Sequence, residues 1–153
     1  MTTLDEINGV LDRWCQRVVE RIQTNLDTTG TTASGRSKQS LGWFVSDGTL
    51  RIYARPFFSG VETGRPPGRI PYKFTDILFQ WASDKGILTN FGNTESRQRS
   101  ALYLVGQFIK NSGTKLYRNG GRTDIYTDVI TQELGELERQ VAVRVSQSVV
   151  KSL

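Results

Sequence analysis

Leu4, Ile7, Leu11, Trp14, Val18, Ile22 and Leu26 recur at steps of three and four along the start of the chain. That spacing places them on one stripe of an α-helix, while Asp12, Arg13, Arg17, Glu20 and Arg21 fall elsewhere around the wheel. Thr3 and Glu6 have the spacing of a capping box, in which a hydroxyl and a carboxylate each satisfy an amide of the first turn. The pattern predicts an amphipathic helix over 3–27. At about 1.5 Å per residue it spans close to 36 Å, long for a domain of this size. Such a helix faces a core, and its length leaves room for a second contact with another subunit.

The next segment, 28–38 (TTGTTASGRSK), is small and polar and predicts a loop that is mobile or held by a partner. Two β-rich runs follow within 41–54 and meet at Asp47-Gly48, a pair that tolerates the positive φ angles of a tight hairpin turn. In the second run Leu50, Ile52 and Ala54 alternate with Arg51, Tyr53 and Arg55, giving one buried and one cationic face. Trp43 and Phe44 are neighbours in the first run, so they point to opposite faces and one of them must leave the core or be covered. Residues 57–71 (FFSGVETGRPPGRIP) hold Gly60, Gly64, Gly68, Pro66, Pro67 and Pro71 and predict an elbow without regular ladders.

A helix over 72–85 is expected next, with Phe74, Ile77, Leu78 and Trp81 on its core side and Gly86 at its end. A further helix covers 94–111, with Thr94 as N-cap, Leu102, Val105, Phe108 and Ile109 as its apolar stripe, and Gly113 beyond it. Residues 115–122 (KLYRNGGR) read as a basic turn, either a loop or a hairpin tip. Ile130, Leu134, Leu137, Val141, Val145 and Val149 predict a last helix over 123–152. The piece 140–145 (QVAVRV) alternates as a strand would, which leaves helix and strand both open for 140–153.

With 153 residues, 37% apolar and 23% charged, the chain reads as one soluble domain able to form a core without a metal or disulfide staple. The fold class expected is α+β: a small antiparallel sheet built on the hairpin, packed against long N- and C-terminal helices and two shorter ones. Cys15 is the only cysteine and there is no histidine, which excludes an internal disulfide, structural zinc and His-dependent nucleophile activation. Cys15, beside Trp14 on the helix stripe, reads as an inert buried thiol. No run approaches the roughly 20 apolar residues of a membrane helix, and Asp5 and Glu6 stand where a signal peptide would be basic. The net charge of +5 permits nucleic acid as a neighbour without demanding it.

The order of elements carries the most specific signal. A Gly-Arg-Ser loop (Ser34, Gly35, Arg36, Ser37) precedes the hairpin. Then come Glu62, Gly64-Arg65-Pro66-Pro67-Gly68 and Pro71, followed by Ile77, Trp81, Lys85, Gly86 and Ile87. Over 33–87 this resembles the tail-completion, or minor tail-component, family of tailed bacteriophages, whose members carry an E-x-G-R-x-P-G-x-x-P elbow and an I-x-x-W-x-x-x-K-G-I helix; here Ile77 stands four residues before Trp81, one more than in that pattern. The family usually has a second proline after the position of Pro71; this chain has Tyr72.

The resemblance implies a structural virion protein of the neck, made in the host cytoplasm. It would assemble into a homomeric ring, a hexamer or dodecamer, that joins the head connector to the tail around the DNA channel. Its partners would be copies of itself, portal or connector and tail proteins, and the DNA in the channel, with no membrane, catalysis, metal or cofactor. The interface candidates are Ser34, Gly35, Arg36, Ser37, Lys38, Trp43, Phe44, Glu62, Arg65 and Arg69. Arg65 and Arg69 could equally anchor groups within the elbow, with Glu62 as the simplest partner of either. A basic nucleic-acid-binding module is the alternative, since Arg36, Lys38, Arg51, Arg55, Arg65, Arg69 and Lys73 interleave with Tyr53, Phe57 and Phe58.

Overall fold

The structure, a computed structural model, describes residues 2–152. The fold is α+β, with long N- and C-terminal helices and one antiparallel hairpin. By compactness the chain divides into two units. The first comprises the N-terminal segment to Thr29, Lys38–Pro56 and the C-terminal segment from Thr123; the second comprises Gly30–Ser37 and Phe57–Arg122.

In the first unit α1 (Thr3–Thr28) buries Val10, Leu11, Trp14, Cys15, Val18, Val19, Ile22 and Leu26. Its cap lies one residue before the expected Thr3–Glu6 pair. The Thr2 hydroxyl accepts from Asp5 N at 3.1 Å, and the Asp5 carboxylate accepts from Thr2 N at 2.9 Å. Thr3 is not free to cap because its hydroxyl bonds Ser148 at 2.6 Å on the last helix. The Thr2 hydrogen bonds hold the Asp5 carboxyl below the usual carboxylate range.

That last helix, α7 (Thr127–Ser152), begins later than the expected 123 because Thr123 and Asp128 form a turn before it. It runs antiparallel to α1. Trp14 Nε1 donates to Glu133 O at 2.9 Å, Arg21 Nη1 to Glu133 Oε1 at 2.6 Å, and Asn25 Nδ2 to Ile125 O at 3.0 Å. Residues 140–152 are helical, which settles the helix-or-strand question for them; Leu153 lies outside the described residues. The expected stripe is only partly inward: Leu137 is buried, Leu134, Val145 and Val149 are exposed, and the buried residue of the first turn is Val129, one position before the expected Ile130.

The hairpin pairs β1 (Gly42–Ser46) with β2 (Thr49–Tyr53), Trp43 opposite Ile52 and Phe44 opposite Arg51, around a turn with φ 51° at Asp47 and 73° at Gly48. It packs on α1, where Trp43 Nε1 donates to Asp12 Oδ1 at 2.8 Å and Gly48 N to Asn8 Oδ1 at 2.8 Å. Phe44, on the other face, is 60% exposed.

Cys15 lies fully buried in this unit, and burial, reinforced by the Asp12 charge, pushes its thiol up to about 11. The reactive thiolate is therefore scarce at pH 8. Alkylation by iodoacetamide is expected to be at least tenfold slower in the folded protein than in 6 M guanidinium, by mass spectrometry. Equal rates would contradict the burial.

The second unit begins with the polar segment. It is not the bare loop expected over 28–38: Thr28 still belongs to α1, and α2 (Arg36–Gln39) forms one short helix. The Lys85 ammonium holds the Gly30 carbonyl, and Ser34 Oγ accepts from Arg36 N at 3.3 Å. The elbow likewise contains a turn of helix, α3 (Gly60–Thr63), which lies before its prolines.

Next, α4 (Phe74–Asp84) starts two residues later than 72, because Lys73 adopts a left-handed φ of 56°. It packs on α5 (Glu95–Ser112), which Thr94 caps as expected, with a 3-10 turn over Leu88–Phe91 between them. Leu78, Ala82 and Leu102 form the core, surrounded by Phe74, Phe79, Ile87, Leu88, Phe91, Val105 and Ile109. The Lys85-Gly86-Ile87 sequence is a helix stop. Gly86, at φ 71°, donates to Ser83 O at 3.0 Å, and Ile87 donates to Ala82 O at 2.9 Å while packing on the same core. These are the paired bonds and apolar contact of a Schellman motif.

Trp81 corrects the expected stripe. Phe74, Leu78 and Ala82 follow one another at i, i+4, i+8 into the core, so Ile77 and Trp81 sit one position off that line, and Trp81 is 40% exposed. Phe108 is outward for the same reason on α5. Trp81→Ser is expected to cost under about 1 kcal/mol, whereas Leu78→Ala costs about 2–5 kcal/mol. Urea titrations of both variants decide this, and a larger loss for Trp81→Ser would restore it to the core.

Residues 115–122 form α6 (Lys115–Arg118) and its stop, not a hairpin tip. Thr114 caps the turn, accepting from Tyr117 N at 3.4 Å. No helix among the described residues is long and apolar enough to cross a membrane.

Candidate functional site

The elbow is the site the sequence singles out, and its backbone is tied down on both sides of its prolines. Arg65 N donates to Thr114 Oγ1 at 3.0 Å and Thr114 N returns to Arg65 O at 2.9 Å, so the two residues clasp each other. Gly68 N donates to Lys110 O at 2.9 Å and Arg122 N to Glu62 O at 2.8 Å. The prolines cannot donate, so the flanking amides carry these ties. The elbow thus lies against the α5–α6 junction closely enough that a side chain at Gly64 would meet backbone. A Cβ there would stand 2.4 Å from Tyr117 N, at a residue with φ 71° and ψ −176° that is nearly confined to glycine.

Against this fixed backbone lies an open cavity of about 660 Å³, whose lining includes Phe57, Ser59, Thr63, Arg65, Pro67 and Arg69. The titratable groups of the lining are the two arginines; it contains no Asp, Glu or Cys. Arg65 Nη2 donates to Arg69 O at 2.9 Å and its guanidinium stacks 5.4 Å from the centroid of Phe74, so this arginine braces the elbow from within. Glu62 is 3% exposed on α3 and does not receive the Arg65 fork that the sequence offered it. Arg69 is exposed, with no carboxylate partner among the described residues. Phe57, at the rim, is 94% exposed and holds a left-handed φ of 64°. A bulky residue in that conformation is strained and persists only where its surroundings fix it.

The sequence did not point to Thr114, and it offered Phe57 only as an interleaved ring of the nucleic-acid alternative. The Phe57-Phe58 pair before Ser59-Gly60 and the Gly113-Thr114 pair were the available signals. In chemical terms the cavity can seat an extended segment that offers apolar side chains and a negative charge. It brings together no pair of titratable groups of the kind that divides acid and base roles.

The ten candidate residues divide between the two units. Ser34, Gly35, Arg36, Ser37, Glu62, Arg65 and Arg69 belong to the second unit; Lys38, Trp43 and Phe44 belong to the first. Lys38 is engaged, its Nζ 2.5 Å from Asp27 Oδ2 and its carbonyl accepting from Gln23 Nε2 at 3.2 Å. The basic stretch of the alternative reading divides likewise, with Arg51 and Arg55 in the first unit and Arg36, Arg65, Arg69 and Lys73 in the second. No cluster of three or more Asp, Glu or Cys able to hold a metal ion occurs among the described residues.

Comparison with protein-family models, with curated proteins and with solved structures finds no match.

Proposed function

We propose that the chain is a structural subunit of a tailed-phage neck, a tail-completion protein that assembles with copies of itself into a ring joining the head connector to the tail. The motif order over 33–87 supports the family. One structural observation supports assembly: α5 is apolar on two sides. Leu102 and Gly106 are buried toward α4, while Leu104 and Phe108, four residues apart, stay 68% and 49% exposed on another face. A helix apolar on both sides is normally covered on both. A second copy supplies that cover in a ring, where each subunit offers two different surfaces to two neighbours. The elbow supports the same reading, because its clasped backbone presents Phe57 and Arg69 at the edge of an open cavity.

The test adds purified protein to tail-less phage heads and to tails, and counts joined particles by electron microscopy. Joining that requires the protein supports the proposal. Equal joining without it overturns the proposal, as does a chain that only retains DNA on a filter with steep salt dependence, the behaviour of the nucleic-acid alternative.

A further inference from the structure

In the first unit the antiparallel α1 and α7 enclose a cleft of about 360 Å³ lined by Val10, Arg13, Arg17, Arg139, Gln140, Val143, Arg144 and Gln147. Four of its eight lining residues are arginines and none is acidic. The helical repeat brings them together: Arg13 and Arg17 are one turn apart on α1, and Gln140, Arg144 and Gln147 follow at steps of four and three on the facing side of α7.

Two carboxylates serve the arginines around the cleft. Glu133 accepts from Arg17 Nε at 3.3 Å and from Arg21 Nη1 at 2.6 Å; Glu136 accepts from Arg139 Nη2 at 2.6 Å and from Gln140 Nε2 at 2.7 Å. Arg13 and Arg144 have no carboxylate among the described residues. Arg17 Nη2 is buried, with no hydrogen-bond partner among them. A buried guanidinium N–H without an acceptor is uncommon, and guanidinium groups gathered with too few anions repel one another. One oxyanion with several acceptor oxygens answers both problems.

We propose that this cleft binds a phosphate group, held by Arg13, Arg17 and Arg144 with Gln147 as an amide donor. Guanidinium forks match the oxygen spacing of phosphate and keep their charge at every physiological pH. The cleft is at the small end of ligand sites, suited to one phosphate and not to a whole nucleotide. The phosphate has two sources, a free ion or a phosphodiester of a nucleic-acid backbone laid across the helix pair. The proposal uses none of the elbow residues and stands apart from the ring reading.

The test titrates inorganic phosphate, and separately a 12-base-pair DNA duplex, into the full protein labelled with ¹⁵N and follows the arginine Nε–Hε resonances. Saturable shifts of Arg13, Arg17 and Arg144 are expected with at least one probe. A duplex that binds more tightly than phosphate and weakens with salt identifies the backbone; phosphate binding without duplex binding identifies the free ion. Arg13→Gln/Arg144→Gln is expected to weaken binding at least tenfold, and Arg97→Gln, at an exposed arginine of α5, to leave it unchanged. Should the double variant fail to fold, Arg144→Gln alone is read for at least a threefold loss. Absence of shifts with both probes, binding unaltered in the variant, or displacement of phosphate by equimolar acetate would overturn the proposal.

Discussion

Gly64→Ala is expected to lower the melting temperature by roughly 4–24 °C, because the added methyl approaches its neighbours too closely to fit. The added carbon would stand 2.4 Å from Tyr117 N and 2.7 Å from Thr114 Oγ1, the oxygen that accepts from Arg65 N in the clasp and from Tyr117 N in the α6 cap. Relief requires the elbow to lift off the α5–α6 junction. The backbone conformation adds its own cost of about 1–3 kcal/mol for a residue with a side chain, and overpacking adds about as much again. At about 2–4 °C per kcal/mol for a chain of this size, the range follows. Gly60→Ala is the control, because a Cβ there meets nothing within 4 Å inside the α3 turn, and it should leave the melting temperature unchanged or slightly raised. Calorimetry of both variants is the measurement. Equal melting temperatures would mean that the elbow is not pinned.

Leu104→Ser/Phe108→Ser is expected to have the opposite signature, with stability nearly intact and assembly lost. Both side chains are exposed in the subunit, so their removal should change the unfolding free energy by under about 1 kcal/mol. Phe108 also carries the Arg118 guanidinium 4.8 Å from its ring centroid, a contact the variant gives up at little cost. If a second copy covers this stripe, two partly buried side chains are worth about 2–4 kcal/mol of association. At about 1.4 kcal/mol per decade, the dissociation constant then rises by roughly 30-fold to 1,000-fold. Sedimentation velocity with a parallel thermal melt separates the two effects. A variant that unfolds early, or one that associates as the unmodified chain does, would remove α5 from the interface.

The features legible in the sequence are those decided within a few residues. The hairpin turn at Asp47-Gly48, the Thr94 cap and the stop at Gly86-Ile87 each depend on a local backbone requirement that few residue types meet, and each is where the sequence puts it. The stripe of α1 was legible from Leu11 onward, where the buried residues are numerous enough to define a face, while Leu4 at its start is exposed.

Errors arose where tertiary contacts decide. Thr3 lost the cap to Thr2 through a bond to Ser148, 145 residues away. Trp81 and Phe108 fit an apolar helical stripe, but the rotation of α4 and α5 about their axes is set by Phe74, Leu78 and Leu102 packing together, which periodicity leaves free within one position. The elbow was legible as a bend and its arginines as candidates, but its pinning was not, because the clasp depends on Thr114, 49 positions beyond Arg65. The arginine cleft needs α1 and α7 set antiparallel before its residues meet, and no local motif marks it.

The claim on which the account rests is that the exposed apolar surface exists to be covered by copies of the same chain. The mass of the purified protein in solution, measured alone and with a head-connector preparation, tests it most directly. The account predicts a closed species at an integral multiple of the 17.2 kDa subunit, formed alone or on the connector. A mass of 17.2 kDa under both conditions, at every concentration up to the solubility limit, would contradict it.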